Sequence, residues 1–340
     1  MSMANKIGYA VVGLGLIARH AVLPAFRHCR RAKLVALVSQ DKNKAERLRC
    51  KHKAAYSYST KAYDACLHNP EVSAIYIATP PGGHEELTVR AAAAGKHVLC
   101  EKPLAATVEQ STRMVEACRL HGVLLMTAYR KYFEPAALYL KSLVRNGALG
   151  RIDTILTSFS ELYVPGVSQP WLVEPALAGG GPLMDLGIYC VNTSRWLVDE
   201  DPIEADAESW RDDTKRFQNV EEGISFRLRF QSGLRVQGNT TYSAAMSSFM
   251  FVQGNKGWAS FCPAFPFEDA RLVFGKIGKR SFERRFPPLD EFAPELDAFA
   301  DAIQRKQPVA PDGVQGHRDM VILHAIYDSA KSKRPLTINY

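Results

Sequence analysis

Three stretches of this sequence hold residues whose types and spacing could do chemistry. The first is Gly13-Leu14-Gly15-Leu16-Ile17-Ala18, a G-x-G-x-x-A pattern that follows the apolar run Ile7 to Val12. In such a pattern the first glycine permits a tight turn, the second lets the backbone approach a pyrophosphate, and the small last residue allows close helix packing. With a strand before it and a helix-like stretch to about Cys29 after it, the pattern reads as a dinucleotide site rather than a structural glycine turn. The second stretch is Glu101-Lys102-Pro103, which closes a short apolar run from Lys96. Pro103 cannot donate to a sheet and biases Lys102 toward extended backbone. That puts Lys102 at the carboxyl end of a strand, where ligands sit in open α/β sheets. The third runs from Gly179-Gly180-Gly181-Pro182 through Asp185 and Tyr189 to Asn192. Pro182 suits the first turn of a helix, and the acid, phenol and amide then stand at i, i+4 and i+7 on one face. Taken alone, a surface lysine at a strand end is the better account of the second stretch, and on spacing alone a solvated helix face accounts for the third as well as a site does.

These residues need elements to hold them. Lys33 to Ser39 reads as a second strand, and its tip is Ser39-Gln40, with Asp41 two places late and Lys42 and Lys44 beyond. A NAD site usually carries an acid at that tip; a hydroxyl and nearby lysines suit the 2′-phosphate of NADP, which a carboxylate would repel. Lys42 also fits the exposed face of the next helix. Helix is expected from Ala45 to Lys53, strand from Ala74 to Ala78, and then the loop Thr79-Pro80-Pro-Gly-Gly-His84 at the start of a helix over 85–94. The strand ending in Glu101 follows, then helix from Thr107 to Leu120 and strand from Val123 to Ala128. Alternation of this kind implies a doubly wound parallel sheet, a Rossmann domain over 1–128. After Tyr129 the pattern changes. A helix from Tyr132 to Asn146 precedes strands at 151–163, 204–211, 221–231, 233–242, 248–254, 257–261, 270–275 and 281–286. Turns such as Gln231-Ser-Gly233 and Gly254-Asn-Lys-Gly257 join several as hairpins. Helices at 291–305 and 314–331 end the chain. The expected second domain, 129–340, is α+β with a large, mostly antiparallel sheet.

Composition bounds the rest. At 340 residues two domains are the natural prior. A net charge of +8 suits anionic ligands such as a phosphorylated cofactor. No basic run with interleaved aromatics is present, which argues against nucleic acid. Seven cysteines with no C-x-x-C pair argue against a zinc knot or disulfide framework and fit a reducing cytoplasm. No metal site, signal peptide or membrane span is expected.

Together the three stretches resemble the Gfo/Idh/MocA family of sugar and polyol oxidoreductases. Ala128-Tyr-Arg130-Lys-Tyr-Phe-Glu-Pro135 and the tyrosine at 189, where other members carry His, are similar to the glucose–fructose oxidoreductase branch. The similarity runs from the first strand to Ala325-Ile-Tyr-Asp-Ser-Ala-Lys331. It implies a Rossmann domain joined to an α/β domain with an open-faced sheet, substrate between them, and a homodimer or homotetramer built on the sheet. It also implies that Lys102, Asp185 and Tyr189 form the catalytic group. The implied cofactor-binding set is Gly13, Leu14, Gly15, Leu16, Ile17, Ser39, Lys44, Thr79, Pro80, His84, Glu101, Lys102, Arg130 and Trp171. That branch has Arg where Leu172 stands, so cofactor retention is expected to be weaker here. The implied reaction is hydride transfer between a sugar or polyol carbon and the nicotinamide of NADP, with NAD as the other possible cofactor. An aldose (xylose-type) or dihydrodiol dehydrogenase, an NAD-dependent glycosidase and a non-catalytic NADP(H)-binding regulator are the alternatives.

Overall fold

Six short runs, most of them apolar, form one parallel sheet in a computed structural model that describes residues 6–267 and 269–340. They are β1 (Ile7–Val12), β2 (Ala32–Ser39), β3 (Tyr56–Ser59), β4 (Ala74–Ile77), β5 (His97–Glu101) and β6 (Leu125–Ala128), in the order β3-β2-β1-β4-β5-β6. β1 and β4 are buried on both faces, as strands covered by crossover helices must be. The order reverses direction between β1 and β4, which leaves a crevice beyond their carboxyl ends. β3 was not expected. It is an edge strand, Tyr-Ser-Tyr-Ser, with no buried residue, so it carries no apolar run to announce it.

Two compact units emerge, and their boundaries differ from the expected 128/129 division. The first comprises the chain up to Phe133 together with Asp290–His317; the second comprises Glu134–Leu289 and Arg318–Tyr340. The helix Phe292–Arg305, expected in the second domain, packs in the first. Its stripe of Phe292, Leu296 and Phe299 is buried. Leu296 and Phe299 have no exposed surface, and burying each stabilises the unit by about 1.5–3 kcal/mol. The Tyr9 hydroxyl donates to the Leu296 carbonyl at 2.9 Å. Asp297 accepts the backbone N–H groups of Arg30, Arg31 and Ala32 at 2.7, 2.8 and 3.0 Å, at the start of β2. An amphipathic stripe tells that a helix is covered, not which sheet covers it.

The second unit is built on a nine-stranded sheet. Its strands are β7 (Ile152–Ser160), β8 (Pro202–Trp210), β9 (Gly223–Phe230), β10 (Arg235–Thr241), β11 (Ser247–Gly254), β12 (Gly257–Phe261), β13 (Ala270–Lys276), β14 (Phe282–Phe286) and β15 (Leu336–Thr337). The order is β14-β13-β12-β11-β7-β10-β9-β8-β15, antiparallel except for the parallel pair β7–β10. Register fixes the faces. Val236, Ile155 and Val252 lie side by side across β10, β7 and β11, all fully buried. Gln237, Leu156 and Phe251 occupy the next row on the opposite face. Phe226, Phe230 and Val236 are buried, whereas Phe249, Phe251 and Trp258 lie on the outer face, Phe249 at 39% exposure. No described helix is long and apolar enough to cross a membrane.

Candidate active site

In the first unit the glycine turn stands where β1 ends. Gly13 has φ of +90°, and a Cβ there would lie 2.6 Å from the Ala78 carbonyl oxygen, so only glycine fits. Its N–H donates to the Val38 carbonyl at 3.1 Å, tying the turn to β2. A Cβ at Gly15 would meet nothing within 4 Å. The protein itself therefore makes no demand for glycine at that position, whereas a phosphate drawn up to the backbone does. Leu14 is buried beneath the turn and Leu16 is 48% exposed beside it. A wide helical turn, Ala18–Val22, follows and runs into Leu23–Ala25, short of the expected end near Cys29.

At the tip of β2 the Ser39 hydroxyl oxygen accepts the Asp41 N–H at 3.2 Å. Asp41 turns to cap the helix Lys42–His52, accepting the Lys44 N–H at 2.9 Å, with the Lys44 ammonium 3.9 Å from its other oxygen. The late acid is thus engaged in capping. Beyond β4, Thr79 and Pro80 are half-buried, and His84 is fully buried. Its two ring nitrogens meet the carbonyls of Thr79 and Leu104, at 2.8 and 3.2 Å, so the side chain tethers the loops after β4 and β5 to each other. Burial holds its pKa below the usual imidazole value, and the carbonyl contacts oppose that shift.

Lys102 stands directly after β5 and is half-buried. The Glu101 side chain turns into the core, accepting the Tyr76 hydroxyl at 2.8 Å and the Lys102 N–H at 3.2 Å. Burial raises the Glu101 pKa, and the charges of Lys102 and Arg130 and the Tyr76 hydrogen bond oppose this. Arg130 is 4% exposed and pairs with Glu291 at 2.6 Å, at the head of the helix Phe292–Arg305.

In the second unit, the glycine run leads into another wide turn, Leu183–Gly187, continuous with the helix Ile188–Val198. Turns of this kind are rare and recur at functional sites. From Gly181 to Arg195, Asp185 and Tyr189 alone are half-exposed, and every other residue is buried. The Tyr242 hydroxyl donates to the Asp185 carboxylate at 3.1 Å. The Tyr189 ring packs edge-on against Phe159, centroids 5.5 Å apart, and beside Phe265 at 5.8 Å. Asn192 does not extend this stripe. It is 2% exposed and donates to Asp319 at 2.8 Å, joining a buried set with Arg195. Trp171, half-buried, lies in the short helix Pro170–Val173 with Leu172. Tyr76 and Tyr242, which meet Glu101 and Asp185, are far from them in sequence and carry no motif. Among the described residues no three His, Cys, Asp or Glu side chains gather as a metal site.

Comparison with known proteins bears on the family and the fold. Residues 7–129 match the description "Oxidoreductase family, NAD-binding Rossmann fold", and residues 137–260 match "GFO/IDH/MocA C-terminal domain". A D-xylose 1-dehydrogenase [NADP(+)] of Haloarcula marismortui is 28% identical, over 98% of this chain and 94% of that protein. A 1,5-anhydro-D-fructose reductase of Ensifer adhaerens is 33% identical, over 73% of this chain and 74% of its own. The crystal structure of aldose-aldose oxidoreductase from Caulobacter crescentus complexed with glycerol superposes with a TM-score of 0.93 at 34% identity, covering 98% of this chain and 100% of that one. Both halves of the fold, the motifs in their order and the full-length relatives lead to one conclusion: this chain is a member of the Gfo/Idh/MocA oxidoreductase family.

Proposed function

We propose that the protein is an NADP-dependent oxidoreductase that moves a hydride between a C–OH carbon of a sugar or polyol and the nicotinamide. The observation that carries this reading is that Asp185 and Tyr189 are the two half-exposed polar side chains on an otherwise buried stretch, in a family whose relatives include an NADP-dependent xylose dehydrogenase. The Gly13–Ala18 turn, Ser39 and Lys44 hold the dinucleotide, Ser39 and Lys44 gripping the 2′-phosphate. Thr79, Pro80, Glu101 and Trp171 complete its surroundings. His84 and Arg130 act through the loops and helix they secure.

When bound, NADP supplies a nicotinamide C4 that accepts the hydride. The protein's part is the proton. As the C–H bond of the substrate gives up its electron pair, the hydroxyl oxygen loses its proton to Tyr189 and a carbonyl forms. Lys102 is the cationic member of the catalytic group and lends its charge to this proton transfer. Asp185, oriented by Tyr242, holds a second substrate hydroxyl. Acid–base help of this kind is worth roughly 10²–10⁴-fold. Seven free thiols support a cytoplasmic location. The apolar outer row of the nine-stranded sheet supports a homodimer or homotetramer.

Steady-state reduction of NADP across a panel of aldoses, ketoses and polyols tests the reading. Sugar-dependent accumulation of NADPH identifies a dehydrogenase of the xylose or dihydrodiol type. Conversion of a sugar pair without accumulation identifies transfer from one sugar to another through retained cofactor. Absence of both in NADP-loaded protein would contradict the proposal.

A further inference from the structure

The wide turn that carries Asp185 begins without a capping side chain of its own. Its N-cap is Pro182, which offers no hydrogen bond to the first-turn N–H groups, and such groups otherwise lack partners. The partner comes from the residue before β9. Glu221 accepts the Gly181 N–H at 3.0 Å on one carboxylate oxygen and the Leu183 N–H at 3.1 Å on the other, so the carboxylate straddles Pro182. The Tyr327 hydroxyl, from the helix Gly313–Ser332, donates to the same carboxylate at 2.8 Å. Space around the loop is closed to match. A Cβ at Gly180 would collide with the Tyr327 hydroxyl, and one at Gly181 would lie 2.6 Å from the Glu221 carbonyl oxygen. The Thr240 hydroxyl donates to the Pro182 carbonyl at 3.3 Å, and Tyr242, two residues on, donates to Asp185.

We infer that Glu221, oriented by Tyr327, is a positioning residue that sets the register of the Leu183–Gly187 turn and so aims Asp185 and Tyr189 at the substrate. This rests on the reading that Asp185 and Tyr189 act on the substrate. An ordinary N-cap would anchor the turn only to its own chain entry. Glu221 anchors it to the sheet and to a second helix, so the turn is referenced to the scaffold. Burial pushes the Glu221 carboxyl above the usual carboxylate range, and the Leu183 N–H and the Tyr327 hydroxyl act against that shift.

The test compares Glu221→Gln, Tyr327→Phe, Tyr189→Phe and the double variants of the first two with Tyr189→Phe. Each is assayed in NADP-loaded protein by single-turnover formation of NADPH from D-xylose and D-glucose, alongside NADPH affinity and thermal midpoint. Glu221→Gln is expected to slow hydride transfer about tenfold or more, and Tyr327→Phe by a smaller factor, with NADPH affinity within about twofold of the original. In the Tyr189→Phe background each is expected to cost less than about twofold further, because a residue that acts through another adds little once that one is gone. Equal losses in both backgrounds would mean a general structural role and overturn the inference. Original rates in both single variants would overturn it as well. Should Glu221→Gln fail to fold, Tyr327→Phe, which keeps the ring beside Gly180, makes the same comparison alone. If Tyr189→Phe itself keeps the original rate, the reading of Asp185 and Tyr189 fails first and the inference falls with it. A loss in Tyr189→Phe with no loss in either clamp variant overturns the inference alone.

Discussion

Ser39 is the side chain proposed to choose the cofactor. Its hydroxyl stands at the end of β2, and Asp41, two residues on, is turned to cap the following helix. Ser39→Asp would put a carboxylate where the 2′-phosphate is proposed to sit. The expected outcome is weaker NADPH binding and a shift of preference toward NADH, read from the two dissociation constants; tighter binding of NADH than NADPH by the original protein would contradict the assignment. A second residue, Glu295, carries a stability signature. It has no exposed surface, and among the described residues neither carboxyl oxygen has a hydrogen-bond partner. Burial raises its pKa well above the ordinary value, helped by the charges of Glu101 and Glu291 and opposed by Arg130. The folded protein therefore holds this proton to higher pH than the unfolded chain. The stability it confers is fully present below the unfolded carboxyl pKa of about 4.3 and is lost as pH rises through the folded value. Glu295→Gln should flatten that part of the pH profile and stabilise the protein at the alkaline end, measured as denaturation midpoint against pH.

Elements were legible in sequence to the extent that their side chains announced both type and partner. All eight strands expected after Tyr129 are present within a few residues, and along β9 inward apolar and outward polar residues alternate. Edge strand β3 and the two-residue β15 carried no such pattern. The helix that carries Asp185 and Tyr189 was legible from Gly179-Gly180-Gly181-Pro182, but its wide turn was not, since the carboxylate that caps it, Glu221, comes from elsewhere in the chain. Asn192 was assigned to the exposed stripe on spacing alone. It is instead buried one turn beyond Tyr189 in the helix Ile188–Val198, where it joins Arg195 and Asp319. Arg195 is 4% exposed and pairs with Asp319, itself fully buried, at 2.5 Å. Removing Asp319 leaves the buried Arg195 with Asp201 as a remaining partner and takes away the acceptor of Asn192. Asp319→Ala should cost about 1–3 kcal/mol of stability by denaturant unfolding; an unchanged midpoint would contradict the burial of this network.

At the scale of the whole molecule, the outer sheet face is the feature that composition could not place. Phe249, Phe251, Trp258 and Leu156 occupy it, with Arg227 paired to Asp206 and Arg229 to Glu204 farther along. An exposed apolar row of this kind marks an interaction surface, and the proposed dimer or tetramer is expected by sedimentation at micromolar concentration. Phe249→Asp with Phe251→Asp should shift it toward monomer without unfolding it; a monomeric original protein would contradict the proposal. The catalytic reading draws on both units, Lys102 in one and Asp185 and Tyr189 in the other, so its test must read the intact protein. The most direct measurement is single-turnover reduction of NADP by an active sugar in the original protein, Lys102→Met, Tyr189→Phe and the double variant. The account predicts that each single change slows hydride transfer by about two orders of magnitude or more, with NADP still bound, and that the double variant is little slower than either. Near-original rates in Tyr189→Phe would remove the phenol from the reaction, and near-original rates in both single variants would contradict the account.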